Sequence, residues 1–209
     1  MKVSAIIPAY NEEKNIGRVL SVLIQIEEIS EILVINDGST DKTNEIAHSY
    51  GVKVIDFAEN HGKGIAMWAG VMHTNAPVVL FLDADLIGLT RQQVRDMISP
   101  IINGYADMTL GIFCHGRAMT DLAQKIAPYL TGQRAMKRWV LDNLDKEDWQ
   151  TGFGIEMKIT RLAKTSNIRV MEVPLVNTTH TMKEEKMGFV RGVAARARMY
   201  WEIIKQLNY

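Results

Sequence analysis

A single cysteine, Cys114, stands in a chain of 209 residues. No internal disulfide can form, which fits a reducing cytoplasm, and the residue reads as a small core side chain beside Phe113. Charge of one sign is equally missing: 24 basic and 24 acidic side chains cancel, so no global field attracts nucleic acid. Long apolar runs are absent too. Nothing approaches the roughly 20 residues a spanning helix needs. The opening MKVSAIIPAYNEE has too short an apolar run before its charges for a secretion signal. Neither a GxxxxGKS/T phosphate loop nor a GxGxxG after the first apolar run is present. The first absence excludes a P-loop and the second counts against a nicotinamide enzyme. No repeat, low-complexity tract or linker divides the sequence, so the expectation is one domain over 1–209.

What is present is an alternation. Short runs rich in Val and Ile at 3–8, 31–36, 52–57 and 78–83 read as strands covered on both faces. Between them lie helical patterns. In EEKNIGRVLSVLIQI the residues Ile16, Val19, Leu20, Leu23 and Ile24 recur at helical spacing. STDKTNEIAHSYG opens on capping residues and ends on glycine, and GKGIAMWAGVMHT follows as the third. This order predicts an α/β fold with right-handed crossovers and a doubly wound, mainly parallel sheet. The second half is less regular. Helices are expected over 91–103, 120–127, 133–144 and 155–165, with strands over 107–113 and 168–175. A long C-terminal helix closes the chain.

Ligands of such sheets bind beyond the carboxyl ends of the strands. Polar clusters fall there: PAYNEE at 8–13, NDGSTD at 36–41, NHGKG at 60–64 and DAD at 83–85. NDGSTD alone is also a good turn and helix cap. Lys63 between two glycines at a helix start offers bare N–H groups and a point charge, which suits a phosphate. Asp83 and Asp85 follow a buried-looking strand. Two close carboxylates repel each other unless they splay into water or share a cation.

IIPAYNEEKNIGRVL, ILVINDGSTDKT, GKGIAMWAG and FLDADL, in that order and spacing, resemble the nucleotide-sugar-binding half of GT-A glycosyltransferases. The likeness is to family 2 and to glucosyl-3-phosphoglycerate synthases. TGQRAM (131–136) and TGFGIEM (151–157) resemble their acceptor-side segments. The resemblance implies a GT-A fold with donor half 1–90, acceptor half 91–184 and a helical extension 185–209. It implies that Pro8, Ala9, Tyr10 and Glu12 contact base and ribose, that Asp37 contacts the base, and that Lys63 and Asp83 lie near the nucleotide. Many relatives carry two aspartates where this chain has Asn36–Asp37. It implies Mg2+ or Mn2+ on Asp85, with His180 as a further ligand. Thr131, Gly132 and Arg134 would meet an acidic or phosphorylated acceptor. Glu156 matches an acid that serves as general base in inverting relatives and binds sugar hydroxyls in retaining ones.

The function expected is transfer from a nucleotide diphosphate sugar, a UDP-sugar, to a small hydroxyl acceptor. A polyprenyl-phosphate acceptor at a membrane surface and a non-catalytic nucleotide-binding module are the alternatives. A nucleotidyltransferase would carry a loop rich in glycine and arginine after its first strand, and PAYNEE is unlike it. The tail interleaves Arg191, Arg196, Arg198 and Lys205 with Phe189, Tyr200, Trp201, Ile203 and Ile204. Its aromatic side packs on this domain or on a second subunit as a homodimer. The other reading is an interfacial helix on anionic lipid, giving a cytoplasmic protein peripheral to the membrane.

Overall fold

The computed structural model describes residues 1–114, 131–150 and 154–180. Residues Met1–Thr179 make one compact unit. Helices expected near 120–127 and over 185–209 lie outside the described residues.

Four strands, β1 (Val3–Ala9), β2 (Ile29–Asn36), β3 (Lys53–Asp56) and β4 (Val78–Phe81), alternate with α1 (Ile16–Leu23), α2 (Thr43–Ser49) and α3 (Lys63–Met72). After the two-residue β5 (Leu86–Ile87) come α4 (Arg91–Ile102) and β6 (Met108–Cys114). The remainder is β7 (Arg134–Lys137), α5 (Arg138–Leu141), α6 (Lys146–Trp149), α7 (Gly154–Thr165), β8 (Val170–Val176) and β9 (Thr179–His180). The seven-stranded sheet runs β3-β2-β1-β4-β7-β6-β8. All pairings are parallel except those of β7, which is antiparallel to both β4 and β6. This is the mainly parallel, doubly wound sheet the apolar runs predicted.

Those runs are continuous because both faces are covered. Ala5 and Ile7 of β1, Val34 of β2 and Leu80 of β4 face a core that includes α1 and α4. Ile6, Leu33, Ile35, Val79 and Phe81 point the other way, into a core with α3 and α7. Each fully buried aliphatic side chain contributes about 1.5–3 kcal/mol. Helix α1 buries Ile16, Val19, Leu20 and Leu23 as its spacing required. Ile24 is exposed, however, and Ile26 takes the next core position.

Two further expectations change. Cys114 ends β6 exposed rather than in the core. The helix expected over 133–144 is a strand at its start: Arg134 pairs with Phe81 and Lys137 with Val78. Arg, Ala, Met and Lys are all good helix formers, so local propensity points to a helix. The facing edges of β4 and β6 both need main-chain partners in the sheet interior, and that requirement outweighs a few tenths of a kcal/mol per residue. Only Arg138–Leu141 turn helical.

Candidate active site

The strand order reverses between β1 and β4, which leaves a crevice at their carboxyl ends. The loops after β1 and β2 line it, and they are laced to each other. Asn11 N–H donates to Ser39 Oγ (3.0 Å), and Thr40 N–H donates back to Asn11 Oδ1 (2.8 Å). Glu12 N–H donates to Thr43 Oγ1 (2.7 Å) and Glu13 N–H to Asp41 Oδ2 (3.1 Å). Burial works against the charge of Asp41, but bonds from the Thr43 hydroxyl and N–H and from Glu13 prevail and hold its carboxyl below the usual value. Of the residues expected at the nucleoside, Ala9 is buried, Pro8 and Glu12 are half-buried, and Tyr10 is exposed. Glu12 Oε2 accepts from Asn15 Nδ2 (3.0 Å), so this carboxylate also closes its own turn.

Asp37, expected at the base, is buried and ties down a neighbouring loop. Its Oδ1 accepts the N–H of His61 (2.8 Å) and its Oδ2 that of Gly62 (2.9 Å), while its own carbonyl accepts from Asn60 Nδ2 (3.2 Å). The aspartate thus fixes the loop that starts α3 and delivers Lys63, the helix's first residue.

The centre of the site is the Lys63 ammonium. It donates to Asp83 Oδ1 at 2.5 Å and to Glu156 Oε1 at 2.6 Å. The three side chains are only 18%, 25% and 5% exposed, respectively. Burial alone would lower the lysine pKa, yet the facing charges of Asp83 and Glu156 raise it well above the ordinary lysine value. Asp83 and Glu156, 73 residues apart in the chain, are therefore joined by one cation. Gly132 makes room for it: a Cβ there would lie 2.6 Å from Lys63 Nζ and 2.7 Å from Asp83 Oδ2.

Thr131 and Arg134, expected at the acceptor, are both bonded into the surrounding scaffold. Thr131 is buried, and its hydroxyl donates to the Gly111 carbonyl (2.6 Å). Arg134 is 0% exposed. Its guanidinium donates to the carbonyls of Thr131 (3.1 and 2.6 Å) and Glu156 (2.9 Å) and to Thr160 Oγ1 (3.3 Å). It bonds the scaffold around Glu156 from inside. Gln133, not among the residues expected at the site, bonds Asp83 directly. Its only signal was a place between Gly132 and Arg134 in TGQRAM.

Asp83 and Asp85, both half-buried just past β4, offer hard oxygen donors that suit Mg2+ or Mn2+. Among the described residues no group of three or more His, Cys, Asp or Glu comes together. The set fits an ion that takes its other ligands from diphosphate oxygens and water, as Mg2+ commonly does. The side chain of His180 lies outside the described residues, as do Thr151 to Phe153 of TGFGIEM.

The family model "Glycosyl transferase family 2" matches residues 4–160. The chain belongs to glycosyl transferase family 2. Among curated family relatives, 4,4'-diaponeurosporenoate glycosyltransferase of Staphylococcus aureus is 39% identical over 102 residues, covering 46% of this chain and 27% of that protein. The chain thus spans about a quarter of the length of the curated relatives it matches. Among solved structures, glucosyl-3-phosphoglycerate synthase from Mycobacterium tuberculosis with Mn2+, UDP and glucosyl-3-phosphoglycerate aligns at TM-score 0.73 and 25% identity. That alignment covers 86% of this chain and 72% of the other. The same synthase with Mn2+, UDP-glucose and phosphoglyceric acid aligns at TM-score 0.70 and 25% identity, over 86% and 71%. The sheet is the GT-A fold of those synthases.

Proposed function

We propose that this chain transfers a sugar from a UDP-sugar to a small hydroxyl acceptor that can itself carry a phosphate. The observation that carries the reading is the pair of bonds made by Lys63, which puts a donor-side aspartate and an acceptor-side glutamate in one pocket. UDP, Mn2+ and phosphoglyceric acid in the complexes of the related synthase support the donor, the ion and a phosphorylated acceptor. Asp85, with Asp83 beside it and His180 as a further ligand, would hold Mg2+ or Mn2+. When bound, such an ion neutralises charge on the departing diphosphate.

The chain's own residues do the rest. The loop of Pro8, Ala9, Tyr10 and Glu12 takes the nucleoside, and Asp37 holds the facing loop in place while its remaining lone pairs meet the base. Lys63 brings a positive charge to the diphosphate. Glu156 accepts the proton of the acceptor hydroxyl as the new bond to the sugar's C1 forms and the C1–phosphate bond breaks. Arg134 fixes the main chain of Glu156 and so its aim.

A second reading, transfer to a lipid acceptor at a membrane, is supported by the relative named for 4,4'-diaponeurosporenoate and by the basic and aromatic tail. No helix among the described residues is long and apolar enough to cross a membrane. A binding module without catalysis is the weaker reading, since Asp83, Asp85 and Glu156 are all present.

The test is turnover of UDP-glucose with Mn2+ against 3-phosphoglycerate and against polyprenyl phosphate in vesicles. The reading expects transfer to a phosphorylated small molecule, with Asp85→Ala losing about 100-fold and Lys63→Ala mainly raising the donor KM. Transfer to the vesicles alone selects the lipid acceptor. Full activity of Asp85→Ala in chelator overturns the metal assignment.

A further inference from the structure

Among the polar side chains at this site, Gln133 is committed in an unusual way. It lies just before β7 at 0% exposure. Its Oε1 accepts the N–H of Asp83 (3.0 Å), and its Nε2 donates to Oδ2 of the same residue (2.6 Å). Both ends of one amide are spent on a single aspartate, closing a ring through its main chain and its carboxylate. The amide is itself anchored. Gln133 N–H donates to Thr131 Oγ1 (3.1 Å), and the Gln133 carbonyl accepts from Gly111 N–H (2.8 Å). Thr131 in turn is bonded to the Gly111 carbonyl (2.6 Å). The support under Asp83 is therefore a short segment tied through Gly111 to strand β6.

The two oxygens of Asp83 receive different donors: Gln133 at Oδ2 and the Lys63 ammonium at Oδ1. A half-turn of the carboxylate exchanges two equivalent oxygens, but any other rotation breaks both bonds at once. A buried amide that served folding alone needs only some carbonyl and some N–H. One that reads the N–H and the carboxylate of the same residue sets that residue's side-chain torsion.

We propose that Gln133 is a positioning residue for donor binding. It holds Asp83 in the one orientation that keeps Lys63 between Asp83 and Glu156, and so presents the D-x-D loop and the lysine to an incoming nucleoside diphosphate already arranged. The inference rests on the donor reading above. It differs from a folding role in that Gln133 acts through Asp83 and through nothing else at the donor site.

A double-variant cycle tests this, with UDP as the probe, titrated calorimetrically into the full chain with saturating Mn2+. Gln133→Leu keeps most of the volume and removes both bonds; it should weaken UDP binding about tenfold. Asp83→Ala should weaken it at least as much. The combined variant should bind within about twofold of Asp83→Ala alone, because without the carboxylate Gln133 has no side-chain torsion to set. Gln133→Asn keeps a buried amide one methylene short of Asp83 and should match Gln133→Leu. Melting curves establish that each variant is folded, and Gln133→Asn carries the test should the leucine variant melt early. Binding by both Gln133 variants at wild-type strength overturns the inference, as do losses that multiply in the combined variant. A wild-type chain that binds no UDP overturns the donor reading, and this inference falls with it.

Discussion

The guanidinium of Arg134 bonds two main-chain carbonyls and a hydroxyl from a fully buried position. Burial pushes its pKa down to about 10, against the nearby charges of Glu156 and Asp83, so it stays protonated at neutral pH. Arg134→Ala would take from the buried Thr131 carbonyl both of its guanidinium bonds and leave the Glu156 carbonyl with the Thr160 hydroxyl (2.8 Å). The expected cost is about 3 kcal/mol of unfolding free energy, read from urea unfolding. Unchanged stability with a raised acceptor KM would instead restore an acceptor-binding role. Residue identity alone could not separate these roles, because an arginine near an acidic-acceptor motif reads the same from either side of a wall. Asp37 presents the same difficulty: its type and place were legible, whereas its bonds to His61 and Gly62 depend on how a loop 24 and 25 residues away returns.

At the scale of elements, the first four strands were legible because each is covered on both faces and its apolar run is unbroken. Strand β7 was not, since RAMK is a helix-forming string held extended by its two neighbours. Helix α3 carries a related conflict at Gly70, where helix propensity favours alanine by about 1 kcal/mol. Here a Cβ would come 2.3 Å from Cγ2 of Ile6, a β-branched residue locked in the central strand β1. Gly70→Ala should therefore destabilise the chain by about 1–3 kcal/mol. A differential melting measurement decides it, and a raised melting temperature would mean that propensity prevails over packing.

Over the whole molecule, one ionic cluster ties three separate segments at the end of the sheet away from the site. Asp107, ahead of β6, accepts from Lys137 Nζ at the end of β7 (2.8 Å) and from Arg169 Nε and Nη2 ahead of β8 (both 2.9 Å). The Arg169 bonds, against burial and with help from Lys137, hold the Asp107 carboxyl well below its ordinary value of 3.8. A depressed carboxyl stabilises the fold above its unfolded pKa, and that contribution is lost as pH falls below about 4 toward the folded value. Asp107→Asn should lower the melting temperature at pH 7 by roughly 5 °C and by much less near pH 2. Equal losses at both pH values would contradict this assignment. Pairings of this kind, 30 and 62 residues apart, were not legible in the sequence, and neither was the Lys63–Glu156 bond across 93. What was legible was which residue types crowd the strand ends; the fold decided which of them touch.

Calorimetric titration with UDP and GDP, with and without Mn2+, probes whether Lys63, Asp83 and Asp85 form a metal-assisted nucleoside diphosphate site. UDP should bind in preference to GDP, and Mn2+ should tighten its binding by about tenfold or more. Absence of binding by either nucleotide with Mn2+ present would contradict it.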